Sequence, residues 1–136
     1  MKVVIDTGIF INILNKEHGY EYSVEFLNKI RKKEIEGFIS VATIAEIVSL
    51  FYKISERDTS IANAYIESII GKDKIVPIVR NIAELAGRIK SSYKISLGDA
   101  FIVATAVLMG CDYMISQDPE IKKIDLIDVK GPKEFL

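Results

Sequence analysis

Residues 100–111 read Ala-Phe-Ile-Val-Ala-Thr-Ala-Val-Leu-Met-Gly-Cys, without a single charge. That run limits the fold more tightly than any other stretch of the chain. A helix that is apolar on nearly every side must be covered on nearly every side, so this one belongs at the centre of a core. Ser96-Leu97-Gly98-Asp99 opens it and sets a carboxylate at the rim of that core. Gly110 follows as a helix-ending residue.

The rest of the chain supplies layers to cover such a helix. Val3-Val4-Ile5 and Tyr113-Met114-Ile115 are short apolar runs, the pattern of strands buried on both faces. Phe38-Ile39, Ile75 to Val79 and Leu126 to Val129 read as three more strands, and Pro77 restricts its own to a sheet edge. Between them run helical patterns. One starts at Ile9; a second covers 20–33, with Val24, Leu27 and Ile30 inward and Gly37 as its stop. Ile44, Ile47, Val48 and Phe51 mark a third helix, with Ser40 as N-cap. Asp58-Thr59-Ser60 signals the start of a fourth, and Ile82, Leu85, Ala86 and Ile89 mark a fifth. A turn over Glu120 to Lys123 follows the second buried strand, and the tail from Lys130 reads as loose. Strands alternating with helices predict a parallel α/β sheet covered on both faces, forming a single domain over 1–136.

Composition removes several classes of function. Hydrophobic residues make up 49% and charged residues 27%, with a formal net charge of −1, so the chain is globular and lacks a global basic field. One cysteine, Cys111, excludes an internal disulfide and a cysteine-based zinc site; its place predicts a small core residue. One histidine, His18, excludes a His-Glu-x-x-His metal site, and beside Gly19 it reads as a loop residue. The apolar start is too short for a signal peptide, and no run reaches the roughly 18 residues of a membrane span. The expectation is a cytoplasmic protein with no membrane partner.

Asp6, Glu46, Asp99 and Asp118 each admit two readings. Asp6 follows a strand and precedes a helix, where it can cap that helix or hold a ligand, with Thr7 beside it. Glu46 shares a helix side with Thr43, Ser49, Leu50 and Lys53; alone it is a solvated face. Asp99 completes Ser-x-x-Asp, a capping box, yet capping does not call for Gly98 next to it, which allows a close approach. Asp118 sits in Gln-Asp-Pro, an ordinary turn.

The four gain weight together. Ligands in parallel sheets bind beyond the carboxyl ends of the strands, and all four acids can converge there. At about 5 Å and an effective dielectric near 20, each ionised pair would cost roughly 3 kcal/mol. A divalent cation reverses that sign, and oxygen ligands without His or Cys suit Mg2+ or Mn2+.

In these residues the chain resembles the PIN-domain ribonucleases, especially the toxins of VapBC-type toxin–antitoxin pairs. The matching stretches are Val4-Ile5-Asp6-Thr7, Ser40 to Glu46, Leu97-Gly98-Asp99-Ala100 and Ser116-Gln117-Asp118. Each is weak alone; their order and the chain length make the set specific. The resemblance implies a three-layer α/β/α fold with a five-stranded parallel sheet of order 3-2-1-4-5. It implies Mg2+- or Mn2+-dependent endonuclease activity on RNA by in-line attack of activated water, leaving a 3′-hydroxyl and a 5′-phosphate. A homodimer and inhibition by a small antitoxin are also implied.

By the same resemblance Asp6, Glu46 and Asp99 are metal ligands, and Asp118 is a ligand or orients a metal-bound water. Thr7 and Ser116 support them. Two positions depart from the family pattern: Gly8, where Ser or Asn is frequent, and Pro119, where a basic residue is common. Lys16, Lys53, Arg57 and Lys94 are candidate phosphate contacts from nearness along the chain, against the simpler reading of solvated charges.

Rival functions are a PIN-fold RNA-processing nuclease without a toxin role and a non-catalytic RNA- or protein-binding module. A phospho-acceptor receiver domain wants adjacent acids after the first strand, and here Ile5 precedes Asp6. Neither Gly-x-Gly-x-x-Gly nor a Gly-Lys-Ser/Thr phosphate loop is present.

Overall fold

Val3, Val4 and Ile5 have no exposed surface, and they divide between two cores: Val3 and Ile5 face one, Val4 the other. The computed structural model describes residues 1–136. Strands β1 (Lys2–Ile5), β2 (Glu36–Ser40), β3 (Ile75–Val76), β4 (Tyr113–Ile115) and β5 (Val129–Lys130) form one sheet of order β3-β2-β1-β4-β5. Every pairing is parallel. Val4 is in register with Phe38 on one side and Met114 on the other, and all three face the second core. Ile39 and Ile115 join Val3 and Ile5 on the first. Strict alternation with both faces apolar explains why these strands read as continuous hydrophobic runs.

Helices α1 (Thr7–Leu14), α2 (Tyr20–Arg31), α3 (Val41–Phe51) and α4 (Glu56–Ile70) cover the first face with Ile9, Phe10, Phe26, Leu27, Ile47 and Ile66. The second face is covered by α5 (Arg80–Ser92), α6 (Leu97–Leu108) and the short α7 (Pro119–Lys122). Helix α6 is the charge-free helix of the sequence; Ala100, Ile102, Val103, Ala104 and Ala106 are fully buried. Gly110 takes a φ of 64° just beyond it, the left-handed turn that favours glycine. The parallel sheet covered on both faces is as the element pattern predicted, and the strand order is as the resemblance implied.

Several local expectations are corrected. Helix α2 ends at Arg31, and Gly37 lies inside β2; a Cβ there would stand 2.9 Å from the Ile30 Cδ1 methyl, so glycine lets α2 rest on the sheet. Val24 is half-buried, and Ser23 and Phe26 take the inward positions. Strand β3 stops at Val76, because Pro77 has no amide to extend the ladder. The cap of α4 is Ser55, which accepts from Asp58 N at 3.0 Å, while Thr59 is buried one turn in. The last strand comes later than expected, at Val129–Lys130. The tail is ordered: a 3-10 turn over Pro132–Phe135 sets the Phe135 ring 5.4 Å from that of Phe26 and 5.6 Å from that of Tyr113. Cys111 is half-buried just before β4 and packs against the edge of the second core, not inside it.

Candidate functional site

Strand order reverses at β1: the chain passes from β1 to β2 and β3 on one side, then to β4 and β5 on the other. The crevice beyond the carboxyl ends of β1 and β4 is the switch point where such sheets bind ligands. Asp6 follows β1 directly, and Ser116 follows β4. The Asp6 amide donates to Ile115 O at 2.9 Å, carrying the ladder one step past the strands. Its side chain makes no capping bond to α1. Oδ2 instead accepts from Ser116 Oγ at 2.8 Å, so the helix-cap reading of Asp6 does not hold.

Glu46 reaches the same end of the sheet from α3. Thr7 Oγ1 donates to its Oε1 at 2.8 Å and lies 2.9 Å from Thr43 Oγ1. Its other oxygen, Oε2, stands 3.4 Å from where a Cβ on Gly98 would be. The start of α6 therefore lies against the Glu46 carboxylate, and the absence of a side chain at Gly98 leaves the space beside Oε2 open. Asp99 is the next residue, and only half of the expected capping box forms: Asp99 N donates to Ser96 Oγ at 3.1 Å. Asp118 does cap, its Oδ1 accepting from Glu120 N at 2.8 Å. The Asp118 amide donates in turn to Ser116 Oγ at 3.1 Å. Asp6, Glu46 and Asp118 therefore each commit one carboxylate oxygen to a hydrogen bond and keep the second free.

These acids feel one another. Asp6 is 6% exposed, and its pKa is pushed up to about 7, first by burial and then by Asp99, Glu46 and Asp118, against the lowering effect of the Ser116 hydroxyl. Glu46 is raised by burial and by Asp99, with the Thr7 hydrogen bond opposing. Asp99 is raised by burial and by Asp118, with Ser96 opposing. Such mutual raising marks a place short of positive charge.

The donor set, all oxygen, fits a hard divalent cation in chemistry and in charge. The free Asp6 oxygen is open to solvent, since Asn63 Oδ1 is the one buried side-chain polar atom without a partner. The set is an open cluster: no three His, Cys, Asp or Glu side chains are grouped tightly enough to hold an ion between them.

Of the four basic candidates, Lys53 lines a shallow cleft with Ile11, Ala45, Glu46, Ser49 and Leu50. Lys16, Arg57 and Lys94 are exposed and do not line it. Lys16 lies past the far end of α1, whose length is about 12 Å at 1.5 Å per residue, so it is remote from Asp6. The sequence placed Thr43 on the Glu46 side of its helix, three residues before it, but gave it no role in the site. No helix is long and apolar enough to cross a membrane.

A parallel α/β sheet with clustered carboxylates at its switch point defines a class of acidic-site α/β domains. Within that class, residues 3–127 match the PIN domain family, and the chain belongs to it. That family is one of nucleases. No curated protein matches the chain by sequence. Among solved structures, a chain of VapBC2 from Rickettsia felis bound to a DNA fragment from its promoter is similar in fold. Its TM-score is 0.76 at 16% identity, covering 96% of this chain and 98% of that one. DNA-bound VapBC from Salmonella typhimurium gives 0.75 at 18%, covering 97% and 98%. A toxin–antitoxin complex from Klebsiella pneumoniae gives 0.72 at 23%, covering 96% and 97%.

Proposed function

We propose that the chain is a metal-dependent endoribonuclease that hydrolyses RNA phosphodiester bonds with Mg2+ or Mn2+, and that it is the toxin of a toxin–antitoxin pair. The observation that carries the reading is Asp6, buried beside three other acids and raised to about 7 by burial and by their charge. A fold has no structural use for that arrangement; a cation-binding site does. Asp6, Glu46 and Asp99 would hold the ion, with Asp118 as a further ligand or an orienter of water. A bound divalent cation supplies Lewis acidity, lowering the pKa of water and offsetting charge on the phosphodiester.

The residues of the chain do the remaining work. Ser116 holds one Asp6 oxygen, and Thr7 holds one Glu46 oxygen, so the free oxygens have fixed directions. Asp118, tied to the first turn of α7, would orient an attacking water with its second oxygen. Lys53, lining the cleft beside Glu46, offers a cation to the RNA backbone. The similarity in fold to chains from toxin–antitoxin complexes favours the toxin role with an antitoxin as inhibitor; a homodimer acting in the cytoplasm is part of the same proposal.

Incubating purified protein with structured RNA and Mg2+, Mn2+ or EDTA tests the activity. Cleavage that needs metal and disappears in Asp6→Asn and Asp99→Asn is expected; cleavage surviving either change with the same metal dependence defeats the assignment. Expressing the chain with and without its neighbouring reading frame tests the toxin role. Growth arrest relieved by the neighbour supports it, and harmlessness in both cases points to RNA processing.

A further inference from the structure

Thr43 is wholly buried, and its hydroxyl has one hydrogen-bond partner, Thr7 Oγ1 at 2.9 Å. Thr7, 3% exposed, also bonds Glu46 Oε1 at 2.8 Å. A hydroxyl has one proton to give, and an ionised carboxylate only accepts. Thr7 therefore spends its proton on Glu46, and the Thr43–Thr7 bond must run from Thr43 to Thr7. The result is a one-way relay from Thr43 through Thr7 to Glu46.

The geometry points to Thr43 as a positioning residue for the site: it locks the Thr7 hydroxyl in the rotamer that holds Glu46. Thr43 touches neither substrate nor ion and acts two bonds away. Without it, the Thr7 oxygen loses its incoming donor, and its proton is no longer committed to one direction. Glu46 would then lose the fixed orientation of its free oxygen beside Gly98. Partners that orient a metal ligand in this way typically change metal affinity or activity by 10- to 100-fold when removed. Ser116 does the equivalent for Asp6, but directly. The consequence for catalysis rests on the nuclease reading above; the positioning itself does not.

Thr43→Val, similar in shape but without the hydroxyl, tests this against Thr43→Ser, which keeps it; Thr43→Ala is a second deletion should valine fail to fold. Two readouts are taken. Mn2+ affinity comes from the paramagnetic resonance of free Mn2+, and the Thr7 χ1 rotamer from three-bond couplings to its γ-methyl carbon in metal-free protein. Val and Ala are expected to weaken Mn2+ binding about tenfold or more and to average the Thr7 couplings; Ser is expected to restore both. Unchanged Mn2+ affinity in Val and Ala overturns the proposal, as does a single retained Thr7 rotamer. If the wild-type chain binds no Mn2+, the nuclease reading falls, and the Thr7 couplings alone then decide the positioning claim.

Discussion

Ser116 Oγ donates to Asp6 Oδ2 at 2.8 Å across the ends of β4 and β1. The two residues are separated by 110 positions in sequence, and both are buried. The same Ser116 oxygen accepts from the Asp118 amide, so one hydroxyl ties two of the four acids to one strand end. The bond partly offsets the burial of the Asp6 carboxylate without neutralising it.

Asp6→Asn is expected to separate stability from activity. An amide can accept the Ser116 proton as the carboxylate does, and it removes a charge that burial and three acids oppose. At pH 7.5 without metal the variant should be more stable by about 2–4 kcal/mol, from the shift to about 7 at 1.36 kcal/mol per unit. For a domain of this size that raises Tm by several degrees, while metal-dependent cleavage falls at least 100-fold. Thermal melts in EDTA and a cleavage assay check both; a less stable Asp6→Asn would mean that the carboxylate serves the fold.

The same shift sets a pH dependence. Asp6 has an unfolded value near 3.8 and a folded value of about 7, so the folded state holds its proton more tightly. Its stabilising contribution is full below about 4 and is lost as pH rises toward and through 7. Glu46 and Asp99, also raised, act with the same sign. Urea unfolding in EDTA should give lower stability at pH 7.5 than at pH 5, and Asp6→Asn should flatten the difference. Added Mg2+ should restore stability mainly at the higher pH, because binding to the folded state adds stability by mass action. Metal stabilisation equal at both pH values would contradict the site.

Gly98→Ala should also move activity and stability apart. Alanine is better than glycine inside a helix by about 1 kcal/mol, and its Cβ would meet Glu46 Cδ and Oε2 at 3.4 Å, the near edge of ordinary van der Waals contact. The variant is expected to melt no lower than wild type. Cleavage should fall several-fold, and Mn2+ affinity with it, because the methyl crowds the free Glu46 oxygen. Gly98→Val should be worse on both counts. Unimpaired cleavage in the valine variant would show that Glu46 needs no room on that side.

Much of this arrangement was legible in the sequence, because the signals were local or periodic. Val3-Val4-Ile5 announced a two-faced strand, the charge-free helix announced itself, and Ser40 is the cap it resembled, accepting from Ala42 N. Convergence of Asp6, Glu46, Asp99 and Asp118 followed from their places after strands and at a helix start. The hydrogen-bond partners were not legible. That Asp6 would turn to Ser116 and leave α1 uncapped depends on β1 and β4 lying side by side. That Glu46 is held and not solvated depends on α1 meeting α3. Gly37 misled because glycine stops helices and also lets helices rest on strands, and only the packing of Ile30 decides between them.

Phe135 is where tertiary packing overrode composition most plainly. Gly131, Pro132 and charged neighbours suggested a loose end, yet Gly131 N donates to Glu134 Oε2 at 2.6 Å and closes a 3-10 turn. That turn delivers the Phe135 ring onto Phe26 and Tyr113, with Lys130 over both the Tyr113 and Phe135 rings. Phe135→Ala removes a half-buried ring from the edge of the first core, so the loss should fall below the 3–5 kcal/mol of a fully buried phenylalanine, at about 2 kcal/mol. The acid cluster lies at the carboxyl ends of β1 and β4, while the Phe135 ring packs on Phe26 and on Tyr113 at the amino end of β4, so Mn2+ affinity and cleavage per folded molecule should not change. Urea titration with a matched cleavage assay checks this. A stability change under about 0.5 kcal/mol would return the tail to the loose end its sequence suggested.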